Sequence, residues 1–194
     1  EDIPQGETGL VVVVAGPPSR FGVVPVVIRN NSGSAVYDIE LSATARDAAG
    51  AILGTANGDD ITPSYVPPGG IALGRVLFQD TPLDGATIEY NISGREDAGS
   101  IFARRDLEVQ EHQLVGGNVV GLALNNHSAA LDLTKVIVMC FDDNLIPSAV
   151  RSDYTDQDRV AAGAEHHLVL ICSVTKPFAV DICYLAAAAK LTNA

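Results

Sequence analysis

The chain has 194 residues, which suits one large domain or two small ones of about 100–150 residues each. Charged residues make up 19% and apolar residues 47%, and 12 Lys+Arg against 24 Asp+Glu leave a net charge of −12. This composition supports a packed core and excludes a basic footprint for nucleic acid or an anionic membrane surface. No run approaches the ~18 apolar residues of a spanning helix, so membrane insertion is not expected either.

Strand-like alternation with intervening turn residues runs the length of the chain. Leu10 to Val14 is the first candidate strand, and Val23 to Asn31 (VVPVVIRNN) follows. A long alternating strand is expected over Ala35 to Asp47, with Leu41, Ala43 and Ala45 inward and Ser42, Thr44 and Arg46 outward. A polar stretch then reads as irregular until Pro67-Pro68-Gly69-Gly70. Two strands end this part, Ile71 to Phe78 and Ala86 to Ser93, with Val76, Phe78, Ile88, Tyr90 and Ile92 inward. Gly94 to Ser100 (GREDAGS) is the expected boundary.

The same order then recurs at an offset of about 92–97 residues. Leu107 to Val109 matches the first strand, and Val119 to Asn126 (VVGLALNN) matches the second. Ala130 to Asp142 matches the long strand, with Val136, Val138 and Cys140 inward. Its other face, Ile137, Met139 and Phe141, is apolar too, and a strand apolar on both faces requires cover on both. That cover is expected from the first copy, from a partner or from another subunit. A turn at 143–144, a polar stretch closing at Ala161-Ala162-Gly163, and strands at His166 to Val174 and Phe178 to Ala186 complete the copy. The inward sets here are Leu170 with Cys172, and Val180, Ile182 and Tyr184; Cys183 is expected outward. Leu185 to Leu191 (LAAAAKL) reads as a short helix or as the continuation of the last strand. The predicted fold class is therefore all-β: two tandem β-sandwich domains related by internal duplication, over residues 1–98 and 99–194. Residues 1–15 are either the first strand or a segment donated to a neighbour. The charge divides unequally, with 5 Lys+Arg against 13 Asp+Glu in residues 1–98 and 7 against 11 in residues 99–194.

The run VVGLALNNHS followed by LDLTKVIVMCFDDN resembles the opening of FxLYD-type bacterial domains, through Gly121, Asn125, Asn126, Ser128, Phe141 and Asp142. The first copy is similar through Val27, Asn30, Asn31, Ser32 and Asp47, with Pro68-Gly69 before an apolar strand. It departs from the pattern in carrying Arg46 where the aromatic belongs. The resemblance covers residues 8–95 and 105–188. It implies immunoglobulin-like sandwiches in an exported or cell-surface protein, of accessory, binding or structural type.

Three cysteines, Cys140, Cys172 and Cys183, leave at least one thiol outside any intramolecular pair. Their spacing does not fit a zinc site. With both residues inward near their strand ends, an immunoglobulin-like order implies a Cys140–Cys172 inter-sheet disulfide. Cys140–Cys183, Cys172–Cys183 and three reduced thiols are the alternatives. N-glycosylation acceptor patterns stand at Asn30, Asn91 and Asn126, where Asn and Ser also serve as turn residues. Asp153, Asp156 and Asp158 are candidate calcium ligands, ahead of Asp59-Asp60 and Asp142-Asp143-Asn144. No EF-hand spacing accompanies them, and solvated loop carboxylates are the reading adopted. His166 and His167, adjacent on a strand, face opposite ways and cannot share a metal; His112 and His127 are isolated.

No nucleophile elbow, phosphate-binding glycine loop or dinucleotide fingerprint occurs, so neither a catalytic residue nor a cofactor is expected. Residue 1 is Glu, so the chain reads as a mature or trimmed form. The expected function is that of a non-enzymatic extracellular or cell-surface protein engaged in structural or interaction roles, with a protein partner or itself as partner. A subunit of an extracellular filament or layer, joined by strand donation from Glu1 to Ala15, is the alternative. A ligand- or calcium-binding accessory module and an enzyme on a sandwich scaffold rank below both.

Overall fold

In a computed structural model of the chain, residues 3–96, 104–115, 118–142, 144–154, 159–170 and 182–191 are described. Among them the regular structure is entirely β. The first half contributes β1 (Gly9–Ala15), β2 (Val23–Asn31), β3 (Val36–Arg46), β4 (Ile52–Thr62), β5 (Tyr65–Val66), β6 (Ile71–Leu77) and β7 (Thr87–Arg95). The second contributes β8 (Arg104–Val115), β9 (Asn118–Leu124), β10 (Leu131–Phe141), β11 (Pro147–Tyr154), β12 (Arg159–Val160), β13 (Glu165–Leu170) and β14 (Ile182–Leu191).

All pairings are antiparallel. In the first half β1 lies beside β2, β2 beside β6, and β3 beside β4, β5 and β7. In the second half β8 lies beside β9, β9 beside β13, and β10 beside β11, β12 and β14. The two groups of strands in each half are joined differently. In the first half β4 changes partner: residues 52–57 run along β3, and Gly58, Asp59 and Thr62 face β6. In the second half β8 does so, with Arg104–Leu107 along β14 and Glu108–Val115 along β9.

The core of the first half lies between β1, β2 and β6 on one side and β3 and β7 on the other. Val24, Val26 and Ile28 of β2 meet Leu41, Ala43 and Ala45 of β3, with Val76 and Phe78 between them. Leu41, Ala43, Ala45, Val76 and Phe78 are the inward positions that alternation predicts. Ile88, Tyr90 and Ile92 of β7 pack against the same core and remain half-buried.

Two elements differ from expectation. The stretch after the long strand, expected to be irregular, is strand β4 in the first half and β11 in the second. In β4 the pattern is hidden because close approach requires a small residue: a Cβ on Gly58 would fall 2.6 Å from Leu41 Cβ. The C-terminal Ala run, open to helix or to continuation of the last strand, takes the second of these readings. It pairs with β10 on one edge and β8 on the other, and this pairing overrides the helix propensity of alanine. The expected boundary at 94–100 begins inside β7, at Gly94 and Arg95, and residues 97–103 lie outside the described set.

Burial pushes the Tyr90 phenol up from 10.0 to about 12. The unfolded chain ionises first, so this contribution to stability is complete below about pH 10 and is lost as pH rises towards about 12. Denaturant unfolding across that window is expected to show stability falling with pH, and Tyr90→Phe is expected to flatten the slope. An unchanged slope in the variant would contradict the assignment.

Candidate functional site: the contact between the two halves

The outer face of β10 finds its cover within the same chain. Ile137, Met139 and Phe141 are 0% exposed. They form one cluster with Ile3, Val27 of β2, Leu73 of β6 and Val150 of β11, flanked by Val13, Val14, Val23 and Ile71. The two faces of β2 thus serve two cores: Val24, Val26 and Ile28 face inward, while Val23 and Val27 face the second half. A bulge between Val12 and Val14 lets β1 contribute both Val13 and Val14 to this contact. The approach is close enough that a Cβ on Gly16 would lie 2.1 Å from the Pro147 carbonyl oxygen, so glycine is required there.

At the rim of this apolar contact sits Asp60. Its carboxylate is 9% exposed and its backbone φ is 57°, a region that Asp tolerates better than most residues. Asp60 Oδ1 accepts from Lys135 Nζ of β10, and Oδ2 accepts from Ser152 Oγ of β11. Arg75 of β6 lies 2.5 Å from Oδ2 and also bonds Asp59 at 3.0 Å. Both oxygens of one carboxylate of the first half are therefore engaged by side chains of the second. Burial lowers the proton affinity of Lys135, and the charge of Asp59 opposes that effect. Beside the cluster is a polar cleft of about 230 Å³ lined by Asp38, Asp59, Asp60, Ser64 and Lys135. The carboxylate and ammonium that could act on a ligand are bonded to each other, so the arrangement serves as a lock between halves.

Asn30 and Asn125 occupy equivalent positions. Asn30 is 0% exposed and its amide donates at 2.8 Å to the carbonyls of Ser34 and Val66, while its oxygen accepts from Ser32 N–H at 3.0 Å. Asn125, also 0% exposed, donates to the carbonyls of Ala129, Val160 and Ala161, and its oxygen accepts from His127 N–H at 3.1 Å. The turn carboxylates correspond in the same way. Asp47 Oδ1 accepts from Ala49 and Ala51 N–H, and Asp142 Oδ1 accepts from Asn144 and Ile146 N–H. Gly50 with φ 84° has its counterpart in Leu145 with φ 60°.

These placements decide several sequence expectations. Asn30, an acceptor candidate in sequence, is enclosed with its amide spent on two carbonyls. Asn91 is exposed on β7, and Asn126 is exposed with its amide on Glu108. Asp142 satisfies a turn. Asp153 lies in β11 opposite Val136, while Asp143, Asp156 and Asp158 fall outside the described residues. Among the described residues no group of three or more His, Cys, Asp and Glu is placed to hold a metal. His166 and His167 lie in β13 opposite Ala123 and Leu122. His112 is exposed on β8.

Cys140 is fully buried, and Cys172 lies outside the described residues, so the expected bond between them is not placed. Cys183, expected on the outward set, stands in register opposite Cys140, with Ile182 and Tyr184 opposite Phe141 and Met139. Directly opposed residues share a sheet face, so the expected phase of β14 is wrong by one residue. In the first half Ala45 stands opposite Ile88, and the matching pair here is Cys140 and Cys183. The run of alanines after Leu185 carries no alternation that could have set this phase.

The N-terminal segment also differs from a free leader. Arg29, 9% exposed, donates to the carbonyls of Ile3, Pro4 and Gly69 at 2.9–3.1 Å, and Asn31 donates to those of Gln5 and Glu7. β1 then completes the chain's own sheet beside β2. Nothing in the composition marked Arg29 as this clamp. The signal was an isolated cation in an otherwise apolar strand.

No protein-family model matches the chain, and no curated protein matches it.

Two substitution series test this geometry by chemical denaturation. Asn30→Ala is expected to cost about 1–3 kcal/mol by leaving buried carbonyls unpaired. Asp60→Asn is expected to cost about 2–4 kcal/mol, at or below the range for a fully buried pair because Lys135 and Arg75 keep some water. Asp59→Asn, at an exposed ion pair, is expected to cost under about 1 kcal/mol. Equal effects at Asp59 and Asp60 would refute the lock.

Proposed function

We propose that the chain is a non-enzymatic structural or interaction protein of the cell surface. It is built from two immunoglobulin-like β-sandwich modules that arose by internal duplication, over residues 1–98 and 99–194. The recurrence of strand pairings supports the duplication: β1–β2, β2–β6, β3–β4, β3–β5 and β3–β7 return as β8–β9, β9–β13, β10–β11, β10–β12 and β10–β14. The observation that carries it is finer. Asn30 and Asn125 hold equivalent backbone carbonyls, and Asp47 and Asp142 hold equivalent turns, in both cases 95 positions apart.

An interaction role is favoured because the motif residues are spent on architecture. The paired asparagines and aspartates bond their own backbone, and the Asp60 cluster bonds one half to the other. A rigid two-module unit presenting polar outer faces suits a spacer or a binding platform. A disulfide from Cys140 to Cys172 belongs to the same reading and to an oxidising location. Assembly by donation of the N-terminal strand has less support, because β1 lies beside β2 and Ile3 is buried in the contact between halves.

Protease shaving and impermeant biotin labelling of intact cells that make the protein test the location. Labelling without lysis is the expected outcome, and labelling after lysis alone would overturn the proposal.

A further inference from the structure

The first half leaves a sheet edge open where the second half closes it. Among the described residues β7 pairs with β3 alone. Its counterpart β14 is flanked by β10 on one edge and by Arg104–Leu107 of β8 on the other. The segment of the first half that corresponds to Arg104–Leu107 precedes or opens β1. There the chain pairs with β2 and not with β7, and Arg29 and Asn31 hold the carbonyls of Ile3, Pro4, Gln5 and Glu7 just before it. A nine-residue strand without proline is left with one row of backbone donors and acceptors unpaired by any described strand. Such an edge is a template for strand addition.

We propose that this edge is a self-association site, at which a second copy of the chain adds its own β7, antiparallel and edge to edge. The inference names the partner for the interaction role above and rests on that reading for its biological use, while its geometry stands independently.

The sequence of β7 selects both partner and register. Thr87, Glu89, Asn91, Ser93 and Arg95 are exposed, and Glu89 retains 59% of its side-chain surface despite its bond to Arg46. A two-fold axis through Ile92 places Glu89 of each copy opposite Arg95 of the other, so one symmetry operation creates two ion pairs. In the same register Asn91 meets Ser93 and Ile92 meets itself. A slide of two residues, with the axis through Asn91, sets Thr87 against Arg95 and Glu89 against Ser93 and forfeits both ion pairs. Cross-strand pairs of opposite charge favour a register and like charges oppose it.

The inner side at the end of β7 is already filled. A Cβ on Gly94 would lie 2.2 Å from Val36 Cγ1 and 3.3 Å from Leu10 Cδ2. An added strand therefore extends the sheet and does not enter the core. The contact is small, and two chains of net charge −12 repel, so the dimer forms at high concentration and at physiological ionic strength, where screening is short-ranged.

Sedimentation equilibrium of the full chain across a wide concentration range, with hydrogen exchange at low and high concentration, tests this. The expected result is a monomer–dimer equilibrium in which β7 amides gain protection as the dimer forms. Arg95→Glu is expected to weaken association about tenfold, by replacing two attractions with two repulsions. The double variant Glu89→Arg with Arg95→Glu restores the pairing and is expected to recover association. A chain that stays monomeric at every concentration would overturn the proposal. So would a dimer that does not protect β7, or one indifferent to Arg95→Glu. Cell-surface labelling is read separately, so the location and the self-association can fail independently.

Discussion

Everything in this fold depends on the outer face of β10 being covered. Val136, Val138 and Cys140 fill the inner face of that strand, and Ile137, Met139 and Phe141 fill the outer one, all at 0–1% exposure. Burying a large apolar side chain is worth about 1.5–3 kcal/mol, so the three outer residues together contribute an amount comparable with the net stability of many domains. The first half answers with strands that are likewise apolar on both sides. β2 and β6 place Val27 and Leu73 against β10 while Val26 and Val76 serve their own core. Neither half could expose its face to water without a large penalty. The two halves are therefore one mechanical body.

Apolar burial is non-directional and leaves the relative orientation of two faces weakly defined. Orientation here falls to polar and steric details at the rim. Asp60 bonds Lys135 and Ser152 across the contact and Arg75 on its own side. Gly16 allows the Pro147 carbonyl to come close, and a larger residue would force the halves apart. Breaking a partly buried charge cluster strands the remaining ions, which makes alternative docking angles costly even where their apolar area is similar.

Much of this was legible in the sequence, for a physical reason. Strand alternation reports which side of a residue meets the core, so the inward sets of β3 and β7, the pair Val76 and Phe78, and the double apolar face of β10 could be read directly. So could the need for cover on that face. What could not be read was the identity of the cover, because apolar area does not name its partner. β4 escaped because Gly54, Ala56 and Gly58 leave no side chains to alternate where the packing is closest. The phase of β14 escaped because four alanines in succession carry no pattern. Asn30 was legible as a turn residue but also as a glycan acceptor, and burial alone separates the two. The Asp60 cluster was visible as a pair of acidic residues. Its partners lie 75 and 92 positions away, beyond any local reading.

The difference between the halves carries the argument one step further. Two halves closed alike would leave equivalent edges in each. Here the first half is joined through β4 and β6 and runs from β1 to β5 with β7 on the other edge of β3, while the second is joined through β8 and β14 and ends at β11 and β13. Of these, β11 is engaged by the neighbouring half, through Val150 in the apolar cluster and Ser152 on Asp60. β1 lies against the same cluster through Val13 and Val14. Among the described strands of the first half, β7 is left with a single neighbour outside this contact. The two halves therefore differ in closure: among the described strands β7 has β3 alone beside it, while its counterpart β14 is flanked on both edges.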